Sequence, residues 1–258
     1  VRTTPEVQLL DEDVNRAGLD GWIRRGLYVG NPLVRGADNP CVTLEGEDAI
    51  FHASHLLGTA LRRGKVRVRA DIRPPSRSTD YSAQVARVYV GGDEYAQGEI
   101  GTYTGAAGGT LRAFTSAAAG YFGFARTGNV SALHYFSQFK IVANDAAGDH
   151  PSSTTVKNDD RSNWYRFLAT FDLDRHAWSL DVYNQGTTQP TPETANGTLV
   201  ESFPDLAFKD ADPTGISAIG IAAGGSGGTL PLEADTKGVL FDNLVVEAVP
   251  SGLMVIVR

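Results

Sequence analysis

The segment Lys65-Val66-Arg67-Val68-Arg69-Ala70-Asp71-Ile72-Arg73 alternates apolar and polar residues without a break. A period of two puts Val66, Val68, Ala70 and Ile72 on one face, and among regular structures only an extended strand does this. Pro74-Pro75 ends the pattern, because proline has no amide hydrogen to give a ladder. A second alternating block runs from Trp164 to Tyr183. Tyr165, Phe167, Ala169 and Phe171 share a face, Asp172-Leu173-Asp174-Arg175-His176 carries turn chemistry, and Trp178, Leu180 and Val182 alternate on the return. This predicts an antiparallel hairpin with a loop of about five residues.

The same pattern predicts strands over Cys41–Glu45, Gln84–Val90, Thr110–Thr115, Tyr121–Arg126, Leu133–Ala143, Ile216–Ala222 and Val239–Glu247. Glycine clusters at 91–92, 108–109 and 224–228 punctuate them. Only residues 52–63 read as helical, with Leu56, Leu57, Ala60 and Leu61 on one face and Gly58 weakening it. The polar stretch 144–163 reads as one long loop, and 248–258 as a C-terminal tail strand. Many strands, frequent turns and little helix predict an all-β, two-sheet antiparallel β-sandwich (a jelly roll), formed as a single domain over 1–258.

With 41% hydrophobic residues among 258, the chain can bury a sizeable core. Its formal net charge of −7 argues against nucleic acid and anionic membrane as generic partners, since both reward a basic surface. No apolar run approaches the roughly 20 residues of a membrane-spanning helix. Cys41 is the only cysteine, which excludes an internal disulfide and a multi-cysteine zinc site. The only methionine is Met254, so Val1 is not a natural translation start. A removed leader peptide is the favoured account, and it implies a secreted or cell-surface protein of bacterial type.

The order of these features resembles the concanavalin A-like jelly rolls, with their laminin-G-like members. Such domains carry an acidic turn and Gly-Trp near the start, matched by Leu19-Asp20-Gly21-Trp22. A Trp-Tyr-Arg strand with an Asp-rich hairpin is matched by Trp164–Tyr183, and a closing Phe-Asp-Asn-Leu-Val-Val strand by Phe241–Val246. The family hosts lectins, binding modules, glycosidases, lyases and structural domains, so the resemblance implies a fold and leaves the activity open.

Asp11-Glu12-Asp13-Val14-Asn15 resembles the start of a calcium loop, but Arg16 stands where the helix–loop–helix motif needs glycine and no glutamate follows at its twelfth position. Asp242 alternates with Leu240, Leu244 and Val246, and a carboxylate on an apolar face must be neutral, paired or metal-bound. The resemblance implies a structural Ca2+ held by Asp242 with Asp11 or Asp13. The alternative is that Phe241 and Val245 face inward and Asp242 faces water. Arg62, Arg63, Lys65, Arg67, Arg69, Arg73 and Arg77 crowd one segment opposed only by Asp71. Arg67, Arg69 and Arg73 on one strand face would suit the carboxylate or sulfate groups of an acidic polysaccharide, or else pair with acidic neighbours. Tyr95, Tyr103 and Tyr121 border glycine-rich loops and are the candidates for stacking on a sugar.

No complete catalytic string is present. The Glu-x-Asp-x-x-Glu of jelly-roll glucanases is absent, and Arg69-Ala70-Asp71-Ile72-Arg73 is only partly similar to the corresponding strand of jelly-roll alginate lyases, whose Gln-x-His motif is missing. His52 and His55 would suit a metal only on a helix. Three readings follow: a non-catalytic secreted carbohydrate-binding protein; a structural, self-assembling surface protein that associates through its C-terminal tail; and a polysaccharide lyase or glycoside hydrolase.

Overall fold

A computed structural model describes residues 7–12, 23–25, 33–35, 41–44, 50–74, 82–91, 118–126, 139–156, 162–209, 215–226 and 239–249. The strands are β1 (Val7–Glu12), β2 (Ile23–Arg25), β3 (Leu33–Arg35), β4 (Cys41–Leu44), β5 (Ile50–Leu61), β6 (Lys65–Arg73), β7 (Ser82–Gly91) and β8 (Ala118–Arg126). They continue with β9 (Phe139–Asp145), β10 (Gly148–Val156), β11 (Trp164–Asp172), β12 (Ala177–Gly186), β13 (Thr198–Ala207), β14 (Ile216–Ser226) and β15 (Val239–Val249). An eight-stranded sheet has the order β13-β12-β11-β6-β15-β4-β3, with β1 also paired to β15. A seven-stranded sheet has the order β10-β9-β8-β7-β14-β5-β2. Every pairing is antiparallel. No α-helix occurs among the described residues, so none there is long and apolar enough to cross a membrane.

The expected all-β sandwich is therefore present, and the core sits where the alternation put it. Val66, Val68, Ala70 and Ile72 of β6 are buried with Tyr165, Phe167, Ala169 and Phe171 of β11 and Trp178, Leu180 and Val182 of β12. They meet Val88, Val90, Phe122, Phe124, Phe139 and Ile141 from the other sheet. Phe122 stacks on Phe167 at 5.7 Å, and Phe124 meets the same ring edge-on at 5.3 Å. Such pairs add about 0.5–1.5 kcal/mol each beyond burial of their area. In the β11–β12 hairpin, Asp172 Oδ1 accepts the amides of Asp174 and Arg175, and His176 takes the left-handed conformation that the turn requires.

Two expected elements change. Residues 52–63 are not helical: they lie largely in β5, which pairs with β14. Leu61 stands opposite Ile216 while Leu56 stands opposite Ala218, so β5 carries extra residues between them. That bulge breaks the period of two and produces the apparent helical face. Within 144–163, residues 148–156 form β10 rather than loop. β10 is an end strand with a single neighbour, so little of it must be apolar. It also bulges: Pro151 and Thr155 stand opposite Val142 and Lys140, and Lys140 Nζ donates to the carbonyls of Ser152 and Ser153 at 2.9 and 2.7 Å. The predicted strand at 110–115, Trp22 and residues 250–258 of the tail lie outside the described residues.

Candidate functional site

The outer face of the eight-stranded sheet holds most of the charged candidates. Arg67 Nη1 lies 3.7 Å from Glu247, Lys65 Nζ 3.7 Å from Asp172, and Arg69 Nη1 donates to the Pro192 carbonyl at 3.1 Å. Arg73 stands opposite Leu240 of β15 on the same sheet. Lys65, Arg67 and Arg69 of this stripe thus meet acceptors on both flanking strands and on the β12–β13 connection. For Lys65 and Arg67 this is the pairing with acidic neighbours that the sequence offered as the alternative to a polysaccharide site.

Asp242 resolves in a way neither sequence reading described. β15 shifts register between Asp242 and Val245, and Asn243 sits in the left-handed region with φ 48°. Before the shift Val239 and Phe241 are in the core; after it Leu244 and Val246 are. Asp242 therefore does not share a face with Leu244 and Val246, nor does it lie in water, being 1% exposed. It is covered by the connection between β12 and β13. Its Oδ2 accepts from Gln189 Nε2 at 2.9 Å and its Oδ1 from the Asn243 amide at 2.8 Å. Beside it, Asp71 receives both Nε and Nη2 of Arg166 at 2.8 Å and Asn243 Nδ2 at 2.7 Å. Arg166 also donates to the carbonyls of Thr191 and Thr194, and Asn243 to that of Pro190.

A calcium ion needs about six to eight oxygen ligands. Here each oxygen of Asp242 already accepts an N–H donor, from Gln189 and from Asn243. No group of three or more His, Cys, Asp or Glu side chains suited to a metal occurs among the described residues. The backbone of Asp11 stands opposite Val245, while its side chain and all of Asp13 lie outside the described residues. His52 and His55 lose their helical premise, because positions three apart in a strand fall on opposite faces.

The outer face of the seven-stranded sheet carries a different constellation. Backbone register lines up Gly220, Tyr89, Tyr121, Asn144 and Asp149 as one cross-strand row over β14, β7, β8, β9 and β10. The Tyr121 hydroxyl donates to Asp149 Oδ1, which also accepts Asn144 Nδ2 at 2.8 Å. The Arg87 guanidinium lies 4.3 Å over the Tyr121 ring, with its Nη2 3.7 Å from Asp149 Oδ2. Lys209 Nζ lies 5.3 Å from the centre of the same ring, and its amide is tied to the Ala119 carbonyl. Burial raises both phenols well above the ordinary tyrosine value, so both stay neutral at physiological pH.

In and beside this row, buried Asn144 Oδ1, on a residue 5% exposed, and Arg87 Nε have no hydrogen-bond partner among the described residues. Native proteins satisfy most such atoms, which singles out these two among the buried polar groups of this face. The Asp149 side chain is 44% exposed and opens the row to solvent. Chemically, the row offers a carboxylate and an amide as acceptors and a guanidinium and an ammonium as donors.

Of the sequence candidates, Tyr121 alone falls in this row. Its ring is covered by the two cations, so it supports Arg87 and Asp149. Tyr95 and Tyr103 lie outside the described residues. Arg67, Arg69 and Arg73 are on the other sheet. Arg87 and Tyr89 carried a signal, as polar members of an alternating strand; Asp149 carried none, because its strand is too polar to read as one.

No family model matches the sequence, and no curated protein matches it. Among solved structures, the globular domain of T. cruzi calreticulin is similar with a TM-score of 0.53 and 9% identity, over 95% of this chain and 89% of that one. The CBM2 module of an evolved Dit from Lactobacillus casei BL23 phage J-1 is similar with a TM-score of 0.50 and 10% identity, over 96% of this chain and 98% of that one. At such identities the likeness establishes the fold alone. The chain shares the overall fold of these structures.

Proposed function

We propose that this chain is a non-catalytic carbohydrate-binding β-sandwich that takes its ligand on the outer face of the seven-stranded sheet, at Asp149, Asn144 and Arg87. The observation that carries the reading is the convergence of Arg87, Asn144 and the 44% exposed Asp149 carboxylate on one outer face, where Asn144 Oδ1 and Arg87 Nε have no hydrogen-bond partner among the described residues. Sugar hydroxyls both donate and accept, and an amide, a carboxylate and a guanidinium fixed by their neighbours meet them in both senses. Tyr95 and Tyr103, from the segment joining β7 to β8, are the proposed stacking contacts. The fold shared with the phage module, named as a carbohydrate-binding type, supports the reading at the level of architecture.

Of the carboxylates at this end of the β9–β10 hairpin, Asp149 is the one placed in the row. The neighbouring Asp145 is engaged with His150 and the amides of Ala147 and Ala207.

Glycan-array and affinity-gel measurements on the whole chain test the reading. Asp149→Ala is expected to weaken binding about tenfold or more, while Arg67→Ala, on the opposite sheet, leaves it unchanged. Full affinity in Asp149→Ala, or no glycan bound by the native chain, overturns it.

A further inference from the structure

We infer that the Asp149 row selects an anionic glycan, one bearing carboxylate or sulfate groups, with Arg87 and Lys209 as the residues that recognise the charge. The inference rests on the carbohydrate-binding reading and narrows it.

The argument is a local charge count. Arg87 and Lys209 converge on one tyrosine ring, at 4.3 and 5.3 Å from its centre. Among the described residues, the acidic group acting on both of them is Asp149. Its Oδ1 is occupied by the Tyr121 hydroxyl and Asn144 Nδ2, which leaves Oδ2 to face Arg87. The two phenols are neutral, so the described cluster carries surplus positive charge. It does so on a chain whose formal net charge is −7. An anion at this place would neutralise the surplus of the described cluster.

The behaviour of Lys209 agrees. Burial holds its ammonium below the ordinary lysine value, Asp149 draws it up, and Arg87 pushes it down. A guanidinium suits planar carboxylate and tetrahedral sulfate geometry, and the Nε of Arg87 has no hydrogen-bond partner among the described residues. The basic stripe of β6, which looks in sequence like the polyanion site, is matched by Glu247, Asp172 and the Pro192 carbonyl.

The test compares native chain with Lys209→Gln and Arg87→Lys on polygalacturonate, dextran sulfate, neutral dextran and single-stranded DNA at two salt concentrations. Native protein is expected to bind at least one charged glycan about tenfold more tightly than dextran, with a steep loss at high salt. Lys209→Gln should lower that preference several-fold and flatten the salt dependence. Arg87→Lys keeps the charge but loses the fork, so it should weaken the charged glycan more than dextran. The two charged polymers distinguish carboxylate from sulfate recognition, and either preference supports the inference. Equal binding of dextran and charged glycans overturns it while leaving carbohydrate binding intact. Equal binding of DNA also overturns it, by marking a general polyanion surface. Binding of none of the four polymers overturns this inference; whether carbohydrate binding falls with it is read separately, from the glycan array.

Discussion

Arg166 is the residue on which the outer face of the eight-stranded sheet turns. It and Asp71 are almost wholly buried, at 2% and 0% side-chain exposure, and they are joined by two hydrogen bonds. Removing one partner of such a pair strands a charge away from water, which costs about 3–5 kcal/mol, whereas replacing both is often close to neutral. Arg166→Met is therefore expected to lose stability on that scale in urea unfolding. The double variant Asp71→Leu with Arg166→Met should lose clearly less than the sum of the single changes, as a double-mutant cycle will read. Additive losses would show that the pair is not coupled. The alternation of β6 and β11 does assign Asp71 and Arg166 to the outer face. Their burial is invisible at that scale, because the cover comes from residues 187–197.

At the level of elements, the β9–β10 hairpin is held at its tip by Asp145. Burial alone would raise this carboxyl, but hydrogen bonds from His150 and from the amides of Ala147 and Ala207 outweigh it and hold the group below its ordinary value of 3.8. A depressed carboxyl stabilises the folded state above its unfolded pKa, and that contribution is lost as pH falls through the folded pKa. Asp145→Asn should therefore be less stable than the native chain at neutral pH, by roughly 1–3 kcal/mol from the weakened hydrogen bonds. The difference should shrink below about pH 4. Equilibrium unfolding at pH 7 and pH 3 measures it, and a gap that does not change with pH would contradict the assignment. The same hairpin positions Asn144 and Asp149 for the candidate site, yet β10 was illegible as a strand. An end strand packs on one neighbour, and the bulge held by Lys140 leaves no sustained alternation.

Across the whole molecule, two sheets close on one apolar interior without sulfur bridges. At the sides, Glu201 of β13 accepts the amide and hydroxyl of Ser153 in β10 at 3.0 and 3.2 Å, tying the end strand of one sheet to that of the other. Because Cys41 is the single cysteine, no internal disulfide contributes to stability. The midpoint of thermal unfolding should accordingly be the same with and without a thiol reductant, by calorimetry or circular dichroism, and the folded spectrum should be strand-dominated. A reductant-dependent midpoint would point to a disulfide between two chains.

What the sequence determined by itself is the sandwich and its interior. Side chains alternate across a pleated strand, so Val66 to Ile72, Tyr165 to Phe171 and Trp178 to Val182 declare their inner faces locally. What only the tertiary structure decided is where the alternation slips and who meets whom on the outside. The bulges in β10 and β15 re-aim Ser152 and Asp242 by register, and register depends on the partner strand. The row of Tyr89, Tyr121, Asn144 and Asp149 unites four strands whose order in the chain says nothing of their chemistry together. Polar neighbours on a sheet are chosen across the hydrogen-bond ladder, a direction along which sequence carries no period.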